Sequence, residues 1–406
     1  MKRRAPQGGV AGVDVDLYSP AAVRDPWPVL ADIRRAGPVV WNSRIDHWMV
    51  TSDRLCRQVL LDPERFILSP VTAPFFGAAA FIAIDEREPH DAIRGVWAVT
   101  FQRQTLDRLE GVVAEIAERM IDSFAPRLED GETVDLVRAY CRDLPAYVIA
   151  HMLGVPPAHR ADIVRWSDLM GAAGGTPNVD RQTDPRWLAS EGAKAELAGF
   201  LLAEIEHRRR RPGDDLISQI VHSDVGRGMS NEAIMQNARQ LLFAGNETTA
   251  KWLGHIVVTL ASHPAIRDAA IEDASLIAPT IEEIMRWEPV VMRIPRVALN
   301  DTEIGGTPVR AGDQILLLTG AANRDPDRYA DPDRLDIGRP HQAHLGFGFG
   351  MHSCLGVTLA RLEARVATTR LLARTPHYRL AGPADYGAFG LRGPSCVEVT
   401  ARRHGD

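Results

Sequence analysis

The segment from Phe347 to Gly356 places one cysteine, Cys354, in a glycine-rich loop, and a helix is predicted to begin directly after it at Leu355. Glycines allow backbone N–H groups to fold around a sulfur atom, and the positive end of a helix favours a thiolate over a thiol. A thiolate held in this way is a good axial ligand for a metal such as haem iron. Two other interpretations are an inert, buried cysteine in an ordinary turn and a nucleophilic cysteine with His352 as its base.

A second unusual segment, 242–249, interrupts an otherwise apolar helix. That helix is predicted from Asn231 to about Ser262, with Ser230 as its N-cap. Gly245 inside it costs about 0.5 to 1 kcal/mol relative to alanine, and threonine hydroxyls can bond to a carbonyl one turn earlier and bend a helix. The segment has two interpretations: a glycine that permits close helix packing beside threonines that fill the core, or a distortion that serves function.

The cysteine loop resembles the signature of the cytochrome P-450 superfamily of haem-thiolate monooxygenases, which runs Phe-Gly-x-Gly-x-His-x-Cys-x-Gly. Every fixed position is filled here, which favours this interpretation over the other two. The resemblance covers about residues 17–399 and is to soluble, bacterial-type members. It implies a mainly α fold with small β-sheets, arranged as a triangular, helix-rich prism with a small β-rich subdomain. It also implies haem b as cofactor, with Cys354 as axial ligand and Phe347, Gly348 and Gly356 beside the haem.

The same resemblance gives the interrupted helix a role. The segment matches the pattern Ala/Gly-Gly-x-Asp/Glu-Thr, in which Ala244 and Gly245 would open a groove for dioxygen. By this match, Thr248 is the hydroxyl that positions oxygen and water, and Glu247 is the carboxylate that feeds protons from solvent. An alcohol next to an acid on one helix can form such a chain of proton donors.

Two further groups of charged residues match positions of the family. Glu283, Arg286 and Arg339 match a buried charge network that supports the fold and the cysteine loop. Haem also has two propionates, and arginine is well suited to pairing with carboxylates. The residues at the matching propionate-binding positions are His90, Arg94, Arg296 and His344. Arg293 is a weaker alternative to Arg296, because the spacing from the preceding proline is one residue longer than in many relatives.

Helices are expected to position most of these residues, because apolar residues recur at three-and-four spacing along much of the chain. The periodicity predicts helices over 105–124, 133–153, 189–211, 231–262, 278–287 and 357–375. Short apolar or alternating runs predict strands over 39–41, 47–51, 297–299, 302–304 and 314–318. We expect residues 1–406 to form a single haem-binding domain with a short flexible N-terminal segment of about residues 1–16.

Composition argues against several classes of partner. The 406-residue chain has a net charge of −6, which gives no global attraction to nucleic acid or to an anionic membrane. Its basic N-terminal residues are not followed by an apolar run, so neither a signal peptide nor a membrane anchor is expected. The four cysteines are far apart and form no C-x-x-C pair, which argues against a zinc site and a disulfide framework. We therefore expect a cytoplasmic protein with a small-molecule substrate.

The expected substrate pocket is apolar and aromatic, as small-molecule pockets generally are. Its candidate residues are Phe75, Phe76, Phe81, Met170, Gly174, Phe243, Met292 and Leu391. A weaker resemblance, carried by segments 76–77, 166–177 and 390–395, is to bacterial aromatic O-demethylases that act on methoxyphenols. Gly174 and Leu391 stand where those enzymes have pocket phenylalanines. This difference suggests a roomier site and keeps terpenoid, macrolide or other secondary-metabolite scaffolds as the alternative.

The resemblance implies a monooxygenase that inserts one oxygen atom of O2 into a small to medium apolar substrate, by hydroxylation or oxidative O-demethylation. The alternatives are a hydrogen-peroxide-driven peroxygenase, against which Glu247 and Thr248 argue, and a haem-binding sensor without turnover. Electrons would come from a ferredoxin or flavodoxin-type donor and its NAD(P)H reductase. By resemblance, the donor docks at the cysteine-loop face, where a basic patch would be formed by Arg103, Arg108, Arg361 and Arg365.

Overall fold

Helices make up most of the structure. The computed structural model describes residues 11–101, 103–173 and 182–401, and of residues 103–105 it describes the backbone only. In this part of the chain the α-helices are α1 (Pro20–Arg24), α2 (Trp27–Ala36), α3 (Asp53–Leu60), α4 (Ser69–Phe76), α5 (Arg87–Ala98), α6 (Arg103–Glu129), α7 (Asp143–Met152), α8 (Arg160–Ala173), α9 (Pro185–Arg210), α10 (Leu216–His222), α11 (Asp224–Arg227), α12 (Asn231–Ser262), α13 (Pro264–Glu272), α14 (Ile277–Trp287), α15 (Thr319–Ala322) and α16 (Val357–Arg374). Short 3₁₀ segments cover Phe81–Ala83, Val99–Phe101, Pro157–His159, Ala274–Leu276 and Leu345–Phe347, and Val137–Cys141 forms a π-helical turn.

The strands are short and form small sheets. They are β1 (Gly12–Val13), β2 (Val39–Asn42), β3 (His47–Val50), β4 (Phe66–Ile67), β5 (Val134–Asp135), β6 (Ile294–Ala298), β7 (Thr302–Ile304), β8 (Thr307–Val309), β9 (Gln314–Leu317), β10 (Tyr378–Leu380), β11 (Asp385–Tyr386), β12 (Pro394–Cys396) and β13 (Glu398–Ala401). Within the described residues, the largest sheet has six strands in the order β1-β2-β3-β9-β6-β4. The others are β10-β13-β5, β11-β12 and β7-β8. The prediction of a mainly α fold with small sheets is confirmed.

The long helix α12 organises the interior. It begins and ends at the predicted residues, and the Ser230 hydroxyl caps it by accepting a hydrogen bond from the Ala233 N–H at 3.1 Å. Its buried face packs against α7, α8, α9 and α16. Helix α16, which follows the cysteine loop, packs in turn against α6. These contacts place the 242–249 segment and the cysteine loop in one core.

The predicted helix over 133–153 is wrong in its first part. Residues 134–135 form β5, which pairs with β13, and a π-helical turn separates β5 from α7. The Asp135 side chain accepts hydrogen bonds from the N–H groups of Val137 and Val397, both at 3.0 Å. This long-range pairing overrides the local helical periodicity.

The predicted flexible segment of residues 1–16 lies partly outside the described residues. Its residues 1–10 are outside them, whereas residues 12–13 form β1 and pair in parallel with β2. Of the helices that the structure describes, none is long and apolar enough to cross a membrane.

Candidate active site

The loop that carries Cys354 is closed by its own backbone. The Cys354 N–H donates to the Phe347 carbonyl at 2.8 Å. Gly348 and Gly350 have φ angles of 69° and 73°, a left-handed conformation that glycine adopts at little cost. A Cβ added to Gly350 would lie only 2.5 Å from the Leu60 carbonyl oxygen, so this position requires glycine. The helix after the loop starts at Val357, with Gly356 as its N-cap, where the apolar periodicity predicts it and two residues after the start at Leu355 predicted from the loop.

Cys354 opens onto a cavity of about 690 Å³ in the protein interior. The thiol has accessible surface because it faces this cavity, although protein surrounds it on the other sides. Burial raises the pKa of the thiol, while a hydrogen bond from the Gly356 backbone and the positive charges of Arg94 and Arg361 act in the opposite direction. A metal placed in the cavity could therefore reach the sulfur atom.

His352 does not act as a base for Cys354 in this arrangement. Within the described residues, neither ring nitrogen of His352 has a hydrogen-bond partner. Burial, together with the nearby charges of Arg296, His90 and Arg94, lowers the pKa of His352 to about 3. A nucleophilic cysteine needs a base within hydrogen-bond reach. The geometry thus argues against the cysteine nucleophile that the sequence left open.

Helix α12 forms another wall of the cavity. Ala244 and Thr248 line it, and the Thr248 hydroxyl donates to the Ala244 carbonyl at 2.8 Å. The predicted cofactor contact Gly245 does not line the cavity. A Cβ at this glycine would lie 3.4 Å from Ile149 of α7, an ordinary van der Waals distance, so close packing alone does not require glycine here. The contact of Gly245 with haem stays a prediction, while Thr248 faces the cavity.

Glu247 lies beside Thr248 but points away from the cavity, toward α8. Its carboxylate pairs with Lys251 one turn later on α12. The α8 backbone comes so close at Gly171 that a Cβ there would lie 2.8 Å from the Glu247 Oε1 atom. Asp168, one turn earlier on α8, is a neighbouring carboxyl that the sequence analysis missed. Burial raises its pKa to about 6, Arg142 opposes this shift, and the charge of Glu247 adds to it.

A cluster of basic side chains lies at the cavity, and some of its polar atoms are unpaired. His90 and His352 pack edge to face with ring centroids 4.9 Å apart; His90 Nε2 has no hydrogen-bond partner in the described residues, whereas its Nδ1 contacts a carboxylate oxygen of Asp91 at 2.7 Å. Arg296 is 3% exposed, and its Nη1 donates only to the neighbouring Pro295 carbonyl at 2.8 Å. Burial lowers the pKa of Arg296 to about 10 and that of Arg94 below its usual value.

These basic groups fit the haem that the resemblance implies. No Asp or Glu is among the described residues that line the cavity, and Arg296 forms no ion pair with the described residues, although the charge of Asp85 acts on it from outside the lining. Buried charges require ionic partners, and the propionates of haem would supply them. The thiol and the basic cluster thus provide the two kinds of contact that a haem with a thiolate ligand needs.

His344 is placed differently from the other predicted propionate ligands. Its Nε2 lies 3.2 Å from a carboxylate oxygen of Glu282, and its Nδ1 accepts a hydrogen bond from the Gly346 N–H at 3.1 Å. Burial alone would raise the pKa of Glu282, but hydrogen bonds from His344 and Arg361 outweigh it and hold the pKa at about 2. His344 is not among the residues lining the cavity. Its contact with a propionate stays a prediction.

The predicted charge network of Glu283, Arg286 and Arg339 is found as a set of direct contacts. Arg286 donates to both carboxylate oxygens of Glu283, at 2.7 and 2.8 Å, and Arg339 donates to the same carboxylate at 3.2 Å. Arg286 also donates to the carbonyls of Asn323, Pro332 and Arg334, at 2.8 to 3.1 Å. The network therefore ties α14 to the chain segment that leads into the cysteine loop.

Replacing Arg286 with methionine should cost about 3 to 5 kcal/mol of unfolding free energy, because it leaves a buried carboxylate short of its partner. Arg286 is 2% exposed and Glu283 is 7% exposed. Urea denaturation of the holo-protein measures the loss. The matched control is Arg119→Gln, because Arg119 is exposed on α6 and lies 4.0 Å from Glu115. The control should change stability by less than about 0.5 kcal/mol, and a similarly small effect for Arg286→Met would contradict the role of the network.

Four of the predicted pocket residues line the cavity, namely Phe75, Phe76, Phe243 and Leu391. The three phenylalanine rings contact one another, with centroids 4.8 to 5.9 Å apart. Phe81, Met170 and Met292 are buried but do not line the cavity. Gly174 lies outside the described residues. The sequence analysis missed the polar lining residues Tyr18, His47, Gln240 and Gln314, and no motif could have indicated them.

Comparisons with known proteins identify the family. The family model of cytochrome P-450 matches residues 190–375. The chain is 35% identical over 361 residues to the mycinamicin IV hydroxylase/epoxidase of Micromonospora griseorubida, covering 86% of this chain and 87% of that protein. It is 33% identical over 402 residues to the vitamin D(3) 25-hydroxylase of Pseudonocardia autotrophica, covering 95% of this chain and 96% of that protein.

Solved structures of similar fold support the same family. P450BioI in complex with an acyl carrier protein ligated to hexadec-9Z-enoic acid superposes with a TM-score of 0.87 at 26% identity, over 95% of this chain and all of that chain. CYP109E1 of Bacillus megaterium with testosterone gives a TM-score of 0.86 at 26% identity, with the same coverage. The chain belongs to the cytochrome P-450 superfamily. It is a monooxygenase with a cysteine-ligated haem b, and it depends on O2 and on electrons from a redox partner.

Proposed function

We propose that Cys354 is the haem ligand of this monooxygenase and that Thr248 and Glu247 carry the protons of its reaction. The observation that carries this proposal is that Cys354 and Thr248 line the same cavity from the cysteine loop and from α12. Arg296 and His352 line it as well, and together with His90 and Arg94 they would hold the propionates. Haem bound to a thiolate supplies the site where O2 is reduced, so that one oxygen atom enters the substrate and the other leaves as water.

The protein contributes an ordered path for the two protons that this reaction consumes. The Thr248 hydroxyl donates its single proton to the Ala244 carbonyl, which holds its oxygen on α12 and leaves that oxygen free to accept a hydrogen bond in the cavity. It donates into the cavity when the hydroxyl rotates away from the carbonyl. Glu247 is 13% exposed in its side chain, precedes Thr248 on α12, and acts by its charge on the half-exposed Asp168 of α8. Proton transfer from solvent through acids to an alcohol requires this order of groups. The acid-alcohol pair also supports the monooxygenase over the peroxide-driven alternative.

The proposed substrate is apolar and of small to medium size. The phenylalanine cluster and Leu391 support this, because they give the cavity an apolar lining. Hydroxylation is the favoured reaction, since the similar proteins include hydroxylases of mycinamicin IV and of vitamin D(3). Oxidative O-demethylation of an aromatic ether is the second candidate, supported by the aromatic wall.

Titration with a substrate library tests this proposal. A ligand that enters the cavity should shift the haem spin state, and turnover with a surrogate ferredoxin, its reductase and NAD(P)H should yield an oxygenated product. A monooxygenase consumes NAD(P)H and O2 in proportion to the product that it forms. Product formed equally well from hydrogen peroxide alone would favour the peroxygenase, and absence of any turnover with bound ligands would favour the sensor.

We also propose a ferredoxin or flavodoxin-type donor, served by an NAD(P)H reductase, that docks at the cysteine-loop face. The structure weakens part of the predicted basic patch, because Arg361 pairs with Glu282 at 2.9 Å and Arg365 pairs with Glu110 at 2.8 Å. The side chain of Arg103 lies outside the described residues. Arg108 is exposed near the start of α6 and keeps its positive charge available. The four free cysteines suit a reducing compartment and support the proposed cytoplasmic location.

Charge reversal at Arg108 should therefore weaken binding of the electron donor more than charge reversal at Arg365. We expect Arg108→Glu to raise the apparent dissociation constant of an acidic donor about tenfold at low ionic strength, and less at high salt. Stopped-flow reduction of the haem measures this effect. Arg374→Glu, at the far end of α16, is the matched control and should leave reduction unchanged. Rates that respond to neither Arg108→Glu nor salt would mean that the donor docks elsewhere or through apolar contacts.

A further inference from the structure

Arg293 is a basic side chain in the cavity for which the described residues provide no hydrogen-bond acceptor and no carboxylate partner. It lies just before β6, and its guanidinium lines the cavity. With the residues that the structure describes, Arg293 makes neither a hydrogen bond nor an ion pair, and its Nε is buried without an acceptor. A guanidinium has five N–H donors and stays charged in proteins. Arg293 is only partly exposed, and a buried donor such as its Nε is costly without an acceptor, so an anion that accepts from it would be stabilising.

The backbone holds Arg293 in a defined position. The segment before it pairs with the turn that follows Phe389, since the Met292 N–H donates to the Gly390 carbonyl at 3.2 Å and the Arg392 N–H donates to the Val290 carbonyl at 2.7 Å. A Cβ at Gly390 would lie 3.2 Å from an Nη atom of Arg293, so the glycine makes room for the guanidinium. The guanidinium carbon also lies 5.9 Å from the centre of the Tyr18 ring. These contacts fix the side chain before any ligand arrives.

The surroundings of Arg293 are polar but not negative. Tyr18, His47 and Gln314 line the same end of the cavity. Burial, with the charge of Arg293 as a smaller contribution, lowers the pKa of His47, so this imidazole is neutral at pH 7. Among the described residues that line the cavity there is no carboxylate to neutralise the guanidinium. This end of the cavity thus has an unmatched positive charge, whereas the phenylalanine cluster makes another part apolar.

The haem propionates have other candidate partners in the protein. His90 and His352 pack together, and the charges of Arg94 and Arg296 act on His352, so these four residues form one group near Cys354. Arg293 lies instead beside Tyr18, His47 and Gly390. Its guanidinium is therefore placed to meet a different anionic ligand of the cavity.

We propose that Arg293 pairs with a carboxylate of the substrate, and hence that this enzyme oxidises apolar carboxylic acids. The assignment rests on the proposed function, because it requires the substrate to share the cavity with haem. A planar guanidinium can donate two parallel hydrogen bonds to a carboxylate, which orients the molecule as well as binding it. The apolar body of the acid would lie against the phenylalanine cluster, and the anchored end would determine which carbon faces the reactive site.

The test compares acids with their esters in holo-enzyme. Dodecanoic acid and naphthoic acid are titrated beside their methyl esters, with binding measured by calorimetry and by the haem spin-state shift. The wild type should bind an acid more tightly than its ester by about 10- to 100-fold, the usual value of a charge-assisted pair. Arg293→Gln should abolish this preference, Arg293→Lys should retain part of it, and the exposed control Arg119→Gln should retain all of it.

Haem retention separates the proposal from its rival, in which Arg293 binds a propionate. Haem content and the rate of haem transfer to apomyoglobin should be unchanged in Arg293→Gln but impaired in Arg296→Gln. Haem loss in Arg293→Gln would assign this arginine to the cofactor and overturn the proposal. Equal affinity for acid and ester, or an acid preference that survives in Arg293→Gln, would overturn it as well. Calorimetry reports the preference without turnover, so failure of the proposed monooxygenase activity would be seen separately.

Discussion

Cys354→Ser is expected to abolish monooxygenase activity and the long-wavelength absorption band of the reduced carbon monoxide complex. A neutral serine hydroxyl cannot donate electron density to iron as a thiolate does. The fold should survive, because the loop is closed by the Cys354 N–H and by glycine conformations, and the side chain takes no part in either. The measurement is the carbon monoxide difference spectrum, together with haem content and circular dichroism.

Cys396→Ser is the matched control for this prediction. Cys396 is a partly exposed free thiol in β12. It does not line the cavity, so the control should keep the band and the activity. If Cys354→Ser kept the long-wavelength band, or if Cys396→Ser lost it, the assignment of the haem ligand to Cys354 would be wrong.

Thr248→Ala should lower the rate of product formation by about 100-fold, the typical contribution of a positioned proton donor. Substrate affinity should change by less than about twofold, because the hydroxyl acts in the reaction and not in ground-state binding. NAD(P)H oxidation should continue, with hydrogen peroxide formed in place of product. The measurement is the ratio of product to NAD(P)H consumed, with a peroxide assay in the same reaction.

Thr248→Ser tests whether the Thr248 hydroxyl is what couples NAD(P)H oxidation to product formation. Serine keeps the donor and can still bond to the Ala244 carbonyl, so it should recover most of the coupling between NAD(P)H and product. Unchanged coupling in Thr248→Ala would count against the proton path and would favour peroxide-driven turnover. Loss of coupling in both variants would show that the methyl group of Thr248, and hence its packing in the cavity wall, is what matters.

The sequence predicts those parts of the protein whose conformation depends on residues close to one another in the chain. Helix α12 was predicted to its terminal residues because its periodicity and its Ser230 cap are local signals. The cysteine loop was predictable because its glycines are needed for the backbone conformation. The prediction of a helix over 133–153 is wrong at its start, because a strand near the C-terminus pairs with residues 134–135.

The less predictable parts of the site depend on contacts between distant segments. The proximity of Asp168 to Glu247 arises where α8 crosses α12, and no spacing in the chain encodes it. The sequence predicts for Arg293 only an alternative role as a propionate ligand. Its contact with Gly390 and its lack of a carboxylate partner among the described residues depend on the turn after Phe389, which packs against it from a distant part of the chain. Similarly, the pairing of Arg361 and Arg365 with carboxylates reduces a surface patch that looked uniformly basic in sequence.

The close approach of Gly350 to the Leu60 carbonyl has a mechanical consequence. Helix α3 ends at Leu60, and the 2.5 Å separation from a Cβ at Gly350 leaves no room for even a methyl group between the helix end and the loop. We therefore expect a displacement of α3 to move the backbone around Cys354, because at Gly350 no side chain lies between the helix end and the loop to absorb it. A protein that docks on α3 would then alter the surroundings of the sulfur atom without contacting the cavity.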